Sequence, residues 1–457
     1  MPEEQIDVLR ERTETASFPV GLHNAFLFSF FNALSYQIVL TSPMVLYART
    51  LGASATVLGI VAGMMPLLVI FQIPAASYIP RLGFKRFVYA GWGTRVMFIF
   101  AMALVPLTGG FLDAKNRLAL MLALLFCFNL SRGISSCAWL PWITLLVPAS
   151  LRGKYLSRDA AVQSSGSFVT FLIAAACLAG ETRAWQFATL FAFSAVTGAV
   201  SLSFLKRIPD AEMPEEIRSS KIGVPWLEMA AYPPFRKLLW AVVGWSVAYG
   251  GMTAFTVTFL KISGMSEGKI MLVTSTSFLG GLSTLWILGA RLDRFGSKPV
   301  LTFAFLAWVV VLAGWVSLSG GVFSVNLLLI LGLQFFMGLL AALVQMSNTR
   351  LAMAVIPAMG RNHFFAIYSV VGNVTLGLAP IGWGLLIDAI GARQPHWLGI
   401  SWNRFTIFFA GAAMVYAASL WLIRRLDEPE AASMEELLRE VLIQSPQRLL
   451  VRLWPRG

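Results

Sequence analysis

Charge is scarce in this 457-residue sequence. Asp, Glu, Lys and Arg together make up 12% of it, against about 25% in an average soluble domain. Hydrophobic residues reach 57% and the mean hydropathy is +0.73. The shortage of charge excludes an ordinary soluble enzyme, and the apolar surplus excludes disorder, which needs the opposite balance. Histidine occurs three times, with the copies well separated, so no metal-ligand cluster is in view. The three cysteines (Cys127, Cys137, Cys177) lie in apolar stretches. They lack the close spacing and neighbouring ligands that a zinc site or disulfide framework needs. No P-loop is present, and no G-x-G-x-x-G follows a strand. Nucleotide-driven or metal-dependent chemistry therefore has no seat; the expectation is a non-enzyme without cofactor.

What the chain has instead is long apolar runs. A hydrocarbon core about 30 Å thick takes about 20 apolar residues per helix. On that scale the sequence predicts twelve spans, near 18–47, 55–80, 86–107, 117–147, 159–180, 184–205, 236–261, 267–291, 299–318, 322–350, 363–389 and 403–424. The first is not a cleavable leader: its apolar part is long, it follows the acidic stretch Pro2–Glu14, and no small-residue cleavage site ends it. The formal net charge is +13, too sparse for a groove that tracks nucleic acid. Most of the Lys and Arg fall in segments 81–86, 152–158, 206–237 and 424–456. By the positive-inside rule these loops and both termini are cytoplasmic.

The chain also repeats. Pro80-Arg81-Leu82-Gly83-Phe84-Lys85 joins spans 2 and 3, and Asp293-Arg294-Phe295-Gly296-Ser297-Lys298 joins spans 8 and 9. Pro148-Ala149-x-x-Arg152 after span 4 is echoed by Pro357-Ala358-x-x-Arg361 after span 10 at nearly the same displacement. Two matches in corresponding loops predict duplicated six-helix halves. The expected organisation is a cytoplasmic N-terminus (1–17), a first bundle (18–205), a linker (206–235) rich in proline, a second bundle (236–424) and a cytoplasmic tail (425–457). Gly83 and Gly296 suit tight reversals that need a positive φ.

These features together resemble the major facilitator superfamily. Gly289-x-x-x-Asp293-Arg294-x-Gly296-x-Lys298 is similar to that family's signature loop. The first-half copy departs from it, with Ala76 in place of the glycine and Pro80 in place of the aspartate. The resemblance covers roughly 18–425. It implies an all-α membrane protein of twelve helices in two halves, carrying a small solute by alternating access, with spans 1, 4, 7 and 10 lining a cavity. For the loop residues Arg81, Gly83, Lys85, Gly289, Asp293, Arg294, Gly296 and Lys298 two readings stand. They anchor the topology, or Asp293 and Arg294 form contacts in one access state that are lost in the other.

Ionisable residues at membrane depth are functional candidates by default. Arg132, about 22 Å into span 4 at 1.5 Å per residue, shares a helix face with Asn129 and Ser136. No Asp or Glu falls in the middle of a predicted span, so Arg132 lacks an obvious partner. A substrate carboxylate or phosphate would relieve the cost of the unpaired charge. An arginine locked onto backbone carbonyls is the structural alternative. Arg95 is read as snorkelling to the interface, and His23 as an interfacial residue. Asn32 and Tyr36 in span 1, Trp245 and Tyr249 in span 7, Gln334 in span 10 and Asn373 in span 11 complete the candidate set. Each of these alone is more often an interhelical hydrogen bond than a ligand contact.

The expectation is thus a secondary or facilitated transporter of a small solute, with an anionic metabolite favoured. The alternatives are an exporter of amphipathic compounds and a receptor, lipid-handling or assembly protein of the same architecture. The expected setting is monomeric, in the plasma (inner) membrane, with lipids and a small-molecule substrate as partners and no nucleic acid. In the tail, Ser433 and Glu436 open a capping box. Met434, Leu437, Leu438, Val441 and Leu442 then form one apolar face, which predicts a short surface helix.

Overall fold

The computed structural model describes residues 18–148, 151–211, 229, 232–288, 296–355 and 361–425. Gly289, Asp293 and Arg294 of the signature loop, and the predicted tail helix, lie outside them. The chain is an all-α membrane protein of twelve spans. Span 1 is His23–Leu40 continued by Ser42–Thr50. Span 2 is Ala55–Leu68 extended by a 3₁₀ turn and Gln72–Ala76. Spans 3 to 6 are Phe84–Leu104, Ala114–Ser136 with Trp139–Leu146, Arg152–Cys177 and Ala184–Arg207. Spans 7 to 9 are Pro233–Tyr249 with Met252–Ile262, Glu267–Leu288 and Ser297–Ser319. Spans 10 to 12 are Leu327–Val355, Arg361–Ile390 and Arg404–Arg424. Eleven of them meet a length-and-hydropathy test for crossing a bilayer, and Glu267–Leu288 stands at the position of the twelfth.

Breaks in the spans have local causes. Span 1 interrupts at Thr41, whose backbone leaves the helical region (φ −131°, ψ −147°), and restarts with Pro43 in its first turn. A proline there has no N–H to leave unpaired. Span 7 interrupts at Gly250-Gly251, where Gly251 holds φ +84°. The two halves also turn alike at the repeated loop. Gly83 (φ +78°, ψ 155°) opens span 3 and Gly296 (φ +80°, ψ 168°) opens span 9, a backbone region essentially reserved for glycine.

The described residues fall into two compact units. The first is drawn from 1–53, 64–222 and 264–275, the second from 54–63, 223–263 and 276–457. The first turns of span 2 thus belong to the second unit, and those of span 8 to the first. Packing within the units follows one plan: span 6 lies against spans 1 and 3, and span 12 against spans 7 and 9. Small residues permit the close approaches, as expected where lipid removes the hydrophobic drive between helices. A Cβ on Gly133 of span 4 would lie 2.1 Å from the Leu68 carbonyl oxygen of span 2. Its counterpart, Gly338 of span 10, would lie 1.8 Å from the Ser277 oxygen of span 8.

In the second unit the start of span 2 is fixed to span 11 by glycines and a cap. A Cβ on Gly59 or on Gly63 would fall 2.2 Å from the carbonyl oxygen of Pro380 or Gly377, respectively. Asp388 accepts from the Ala55 and Thr56 amides (3.0 and 2.8 Å) and from the Thr56 hydroxyl (2.7 Å). It caps a helix from another span. The loop before span 12 carries a two-stranded hairpin, His396–Trp397 with Ile400–Ser401.

Candidate functional site

In the first unit the polar side chains gather around two arginines. Arg95 of span 3 is 5% exposed. Its guanidinium carbon sits 3.6 Å from the centroid of the Trp92 ring and 6.0 Å from that of Phe128. The helix places Trp92 and Arg95 three residues apart, on one face, and the indole face attracts the cation. The Trp92 indole N–H in turn donates to Asn32 Oδ1 of span 1 at 3.2 Å. Arg95 therefore does not snorkel. The apolar length of span 3 and the Trp92 shelf hold it inside, and its Nη2 has no hydrogen-bond partner.

Arg132 of span 4 is the charged group that acts on Arg95, and it also interacts with the Tyr36 hydroxyl of span 1. Among the described residues neither arginine is paired with a carboxylate. Asn129, 1% exposed, donates its amide to the Leu125 carbonyl at 2.9 Å, while its Oδ1 is unpartnered. Ser136, expected on the same face, is taken up structurally: it accepts from Gln72 of span 2 at 2.7 Å. Tyr36 lies beside Gln37 and Ser167, and Gln37 donates to Ser167 at 2.8 Å. Asn32, Tyr36 and Arg132 thus belong to one network, joined through Trp92 and Arg95; Asn129 shares the helix face of Arg132, but no described contact ties it to the others.

One carboxylate escapes the sequence reading. Asp159, 8% exposed, accepts from Ser29 at 2.5 Å and from Gln163 at 2.8 Å. The predicted start of span 5 is at 159, which puts Asp159 at the interface. The helix in fact begins at Arg152, which moves Asp159 about two turns inward. The uninterrupted stretch Tyr155–Gln163, with no proline or glycine, was the available signal.

The second unit has another character. Trp245 and Tyr249 stack at 4.7 Å and 12°, and Trp308 stacks on Tyr416 at 5.2 Å and 8°. Trp245 bridges the two pairs, 6.0 Å from Trp308 and 5.8 Å from Tyr416. Gln334 is buried with its Oε1 unpartnered. Asn373 bonds within its own helix, to the Ser369 carbonyl at 2.8 Å, which is the structural alternative anticipated for it. No described contact links Gln334 or Asn373 to the aromatic group. Trp308 and Tyr416 were not among the expected residues, because an aromatic in an apolar span has no distinguishing pattern. Of the loop residues, Arg81 is exposed and Lys85 and Lys298 are half-buried. His23 is exposed at the start of span 1.

A model of the Major Facilitator Superfamily matches residues 25–276 and 262–454. The chain belongs to this superfamily. Its architecture is that of a multi-pass membrane transporter of a small solute. Among solved structures it is similar to a D-xylose-proton symporter (TM-score 0.67, 14% identity, covering 91% of this chain and 98% of the other). It is also similar to the nucleoside transporter NupG, solved as a mutant (0.66, 12%, 89% and 100%). The inward-open xylose transporter XylE from E. coli is a third such structure (0.64, 14%, 92% and 97%). No curated protein matches the sequence. At these identities the likeness speaks to fold.

Proposed function

We propose that this transporter carries a small organic anion by alternating access, energised by a gradient, with Arg132 and Arg95 supplying the positive charge. The observation that carries the reading is that the buried Arg95 and the half-buried Arg132 near it lack any carboxylate partner among the described residues. An unpaired buried cation costs several kcal/mol, and an entering carboxylate or phosphate relieves that cost. Arginine's planar fork suits either group. Tyr36 and the free Asn129 Oδ1 give the site polar groups that can orient a ligand. The concentration of Lys and Arg in alternate loops supports a plasma (inner) membrane setting with both termini cytoplasmic, and nothing in the network requires more than a monomer.

The test is uptake of a panel of organic anions into liposomes holding the purified protein. Saturable uptake that falls about 100-fold in Arg132→Ala, a loss of about 2.7 kcal/mol, and returns in part in Arg132→Lys supports the reading. Native rates in Arg132→Ala would overturn it. The stacked Trp245–Tyr249 pair favours a second reading, an exporter of amphipathic compounds. It predicts that apolar cations and neutral amphiphiles are carried as well as anions.

A further inference from the structure

A furrow runs between spans 3 and 4 of the first unit. Its volume is about 540 Å³ and its lining includes Arg86, Ala90, Thr94, Phe98, Cys127 and Ile134. Ala90, Thr94 and Ile134 are exposed. The furrow lies over a point where the two helices nearly touch: a Cβ on Gly91 would meet that of Ser135 at 2.1 Å.

Three features identify its occupant. First, the walls offer almost no free hydrogen-bonding groups. Thr94 donates to the Ala90 carbonyl (2.9 Å), Ser131 to the Gly91 carbonyl (3.0 Å) and Ser135 to the Ser131 carbonyl (2.8 Å). The hydroxyls are spent on the backbone, so the surface suits methylenes and repels a polar solute. Second, the lining of span 3 extends from Arg86 to Phe98. That is about 18 Å at 1.5 Å per residue, close to the depth of one leaflet of a hydrocarbon core about 30 Å thick. Third, the charge sits at one end. Arg86 is exposed, has no partner among the described residues, and sits in the first turn of span 3 with Lys85, just after Arg81.

We propose that this furrow is a binding site for one anionic phospholipid, with an acyl chain along Gly91–Phe98 and its phosphate on Arg86. Such a lipid holds spans 3 and 4 together. The site is independent of what the transporter carries.

The test is native mass spectrometry of the delipidated full-length protein, titrated with phosphatidylglycerol and with phosphatidylcholine of the same chains. The native protein should retain one phosphatidylglycerol with a preference of about fivefold, the factor expected of one basic residue at an anionic headgroup. Its melting temperature should rise with phosphatidylglycerol, as mass action requires. Arg86→Ala should bring the two lipids to parity, and Ala90→Trp, which fills the furrow, should weaken both. Lipid-free melting temperatures near the native one establish that the variants fold; Ala90→Leu stands in for Ala90→Trp if the larger side chain prevents it. An unchanged preference in Arg86→Ala, full occupancy in the furrow-filling variant, or equal binding of both lipids by the native protein would each overturn the proposal.

Discussion

The two units are built on one helix plan and furnished with opposite chemistry. The first gathers amides and hydroxyls of spans 1 and 5 and the Trp92 indole of span 3 near Arg95 and Arg132. The second fills the corresponding region with Trp245, Tyr249, Phe305, Trp308 and Tyr416 in mutual contact. A duplicated scaffold constrains helix packing, so the glycine contacts and positive-φ turns recur in both. It does not constrain the side chains that face inward. The difference teaches that the first unit keeps a charge imbalance ready for a ligand, whereas the second is closed on itself by packing.

The comparison breaks most visibly at Trp245. It is 7% exposed and joins both stacked pairs, so Trp245→Ala removes the centre of the aromatic group. A loss of about 3 kcal/mol or more is expected for truncating a buried aromatic. Melting of the detergent-solubilised protein, with and without the variant, measures it. A shift near zero would show that the second unit is not held by these rings.

Arg95 should respond in the opposite sense. Replacing an unpaired buried cation by an apolar side chain of similar length removes its desolvation penalty, and such changes stabilise by about 1–4 kcal/mol even where a partner existed. Arg95→Met is therefore expected to raise the melting temperature and to abolish anion uptake together. A lowered melting temperature would make Arg95 a structural residue, held by Trp92 for packing alone.

How much of this was legible follows from what each residue needs to declare itself. The twelve spans and the duplicated loop are read directly, because apolar length and glycine placement are local properties. Arg132 stands out for the same reason: a charge in an apolar run needs no partner to be noticed. Arg95 was seen but misplaced, since its retention inside depends on Trp92 and on Asn32 of another span. Asp159 was missed because a shift of a few residues in a helix start carries a carboxylate from the interface to the interior. The aromatic group of the second unit is invisible in sequence, as it depends on which faces of spans 7, 9 and 12 meet.

The repeated turns sharpen the likeness between the units. Gly83 and Gly296 share a backbone region that other residues enter only at about 1–3 kcal/mol. Nothing lies within 4 Å of a Cβ built at Gly83, so Gly83→Ala should show the backbone cost without a steric one. Losses of similar size in Gly83→Ala and Gly296→Ala, measured by thermal melting, fit a shared turn. A neutral Gly83→Ala would mean that the span 2–3 loop relaxes to another conformation.

The smallest effect is expected at Asp388, where the second unit holds the start of span 2. The carboxylate receives two backbone amides and a hydroxyl, and a negative charge at a helix N-terminus is favoured by the helix dipole. The residue is exposed, so water and salt screen the charge and the hydrogen bonds carry most of the effect. Asp388→Asn keeps one acceptor oxygen and loses the other, together with the charge, which is worth about 0.5–1 kcal/mol in cap substitutions. Asp388→Ala loses both acceptors and should cost about twice as much. The ordering of the two variants is the informative readout, taken as melting temperature at low and at high salt. A larger loss at low salt for Asp388→Asn would place the stabilisation in the charge, and equal losses at both would place it in the hydrogen bonds to Ala55 and Thr56.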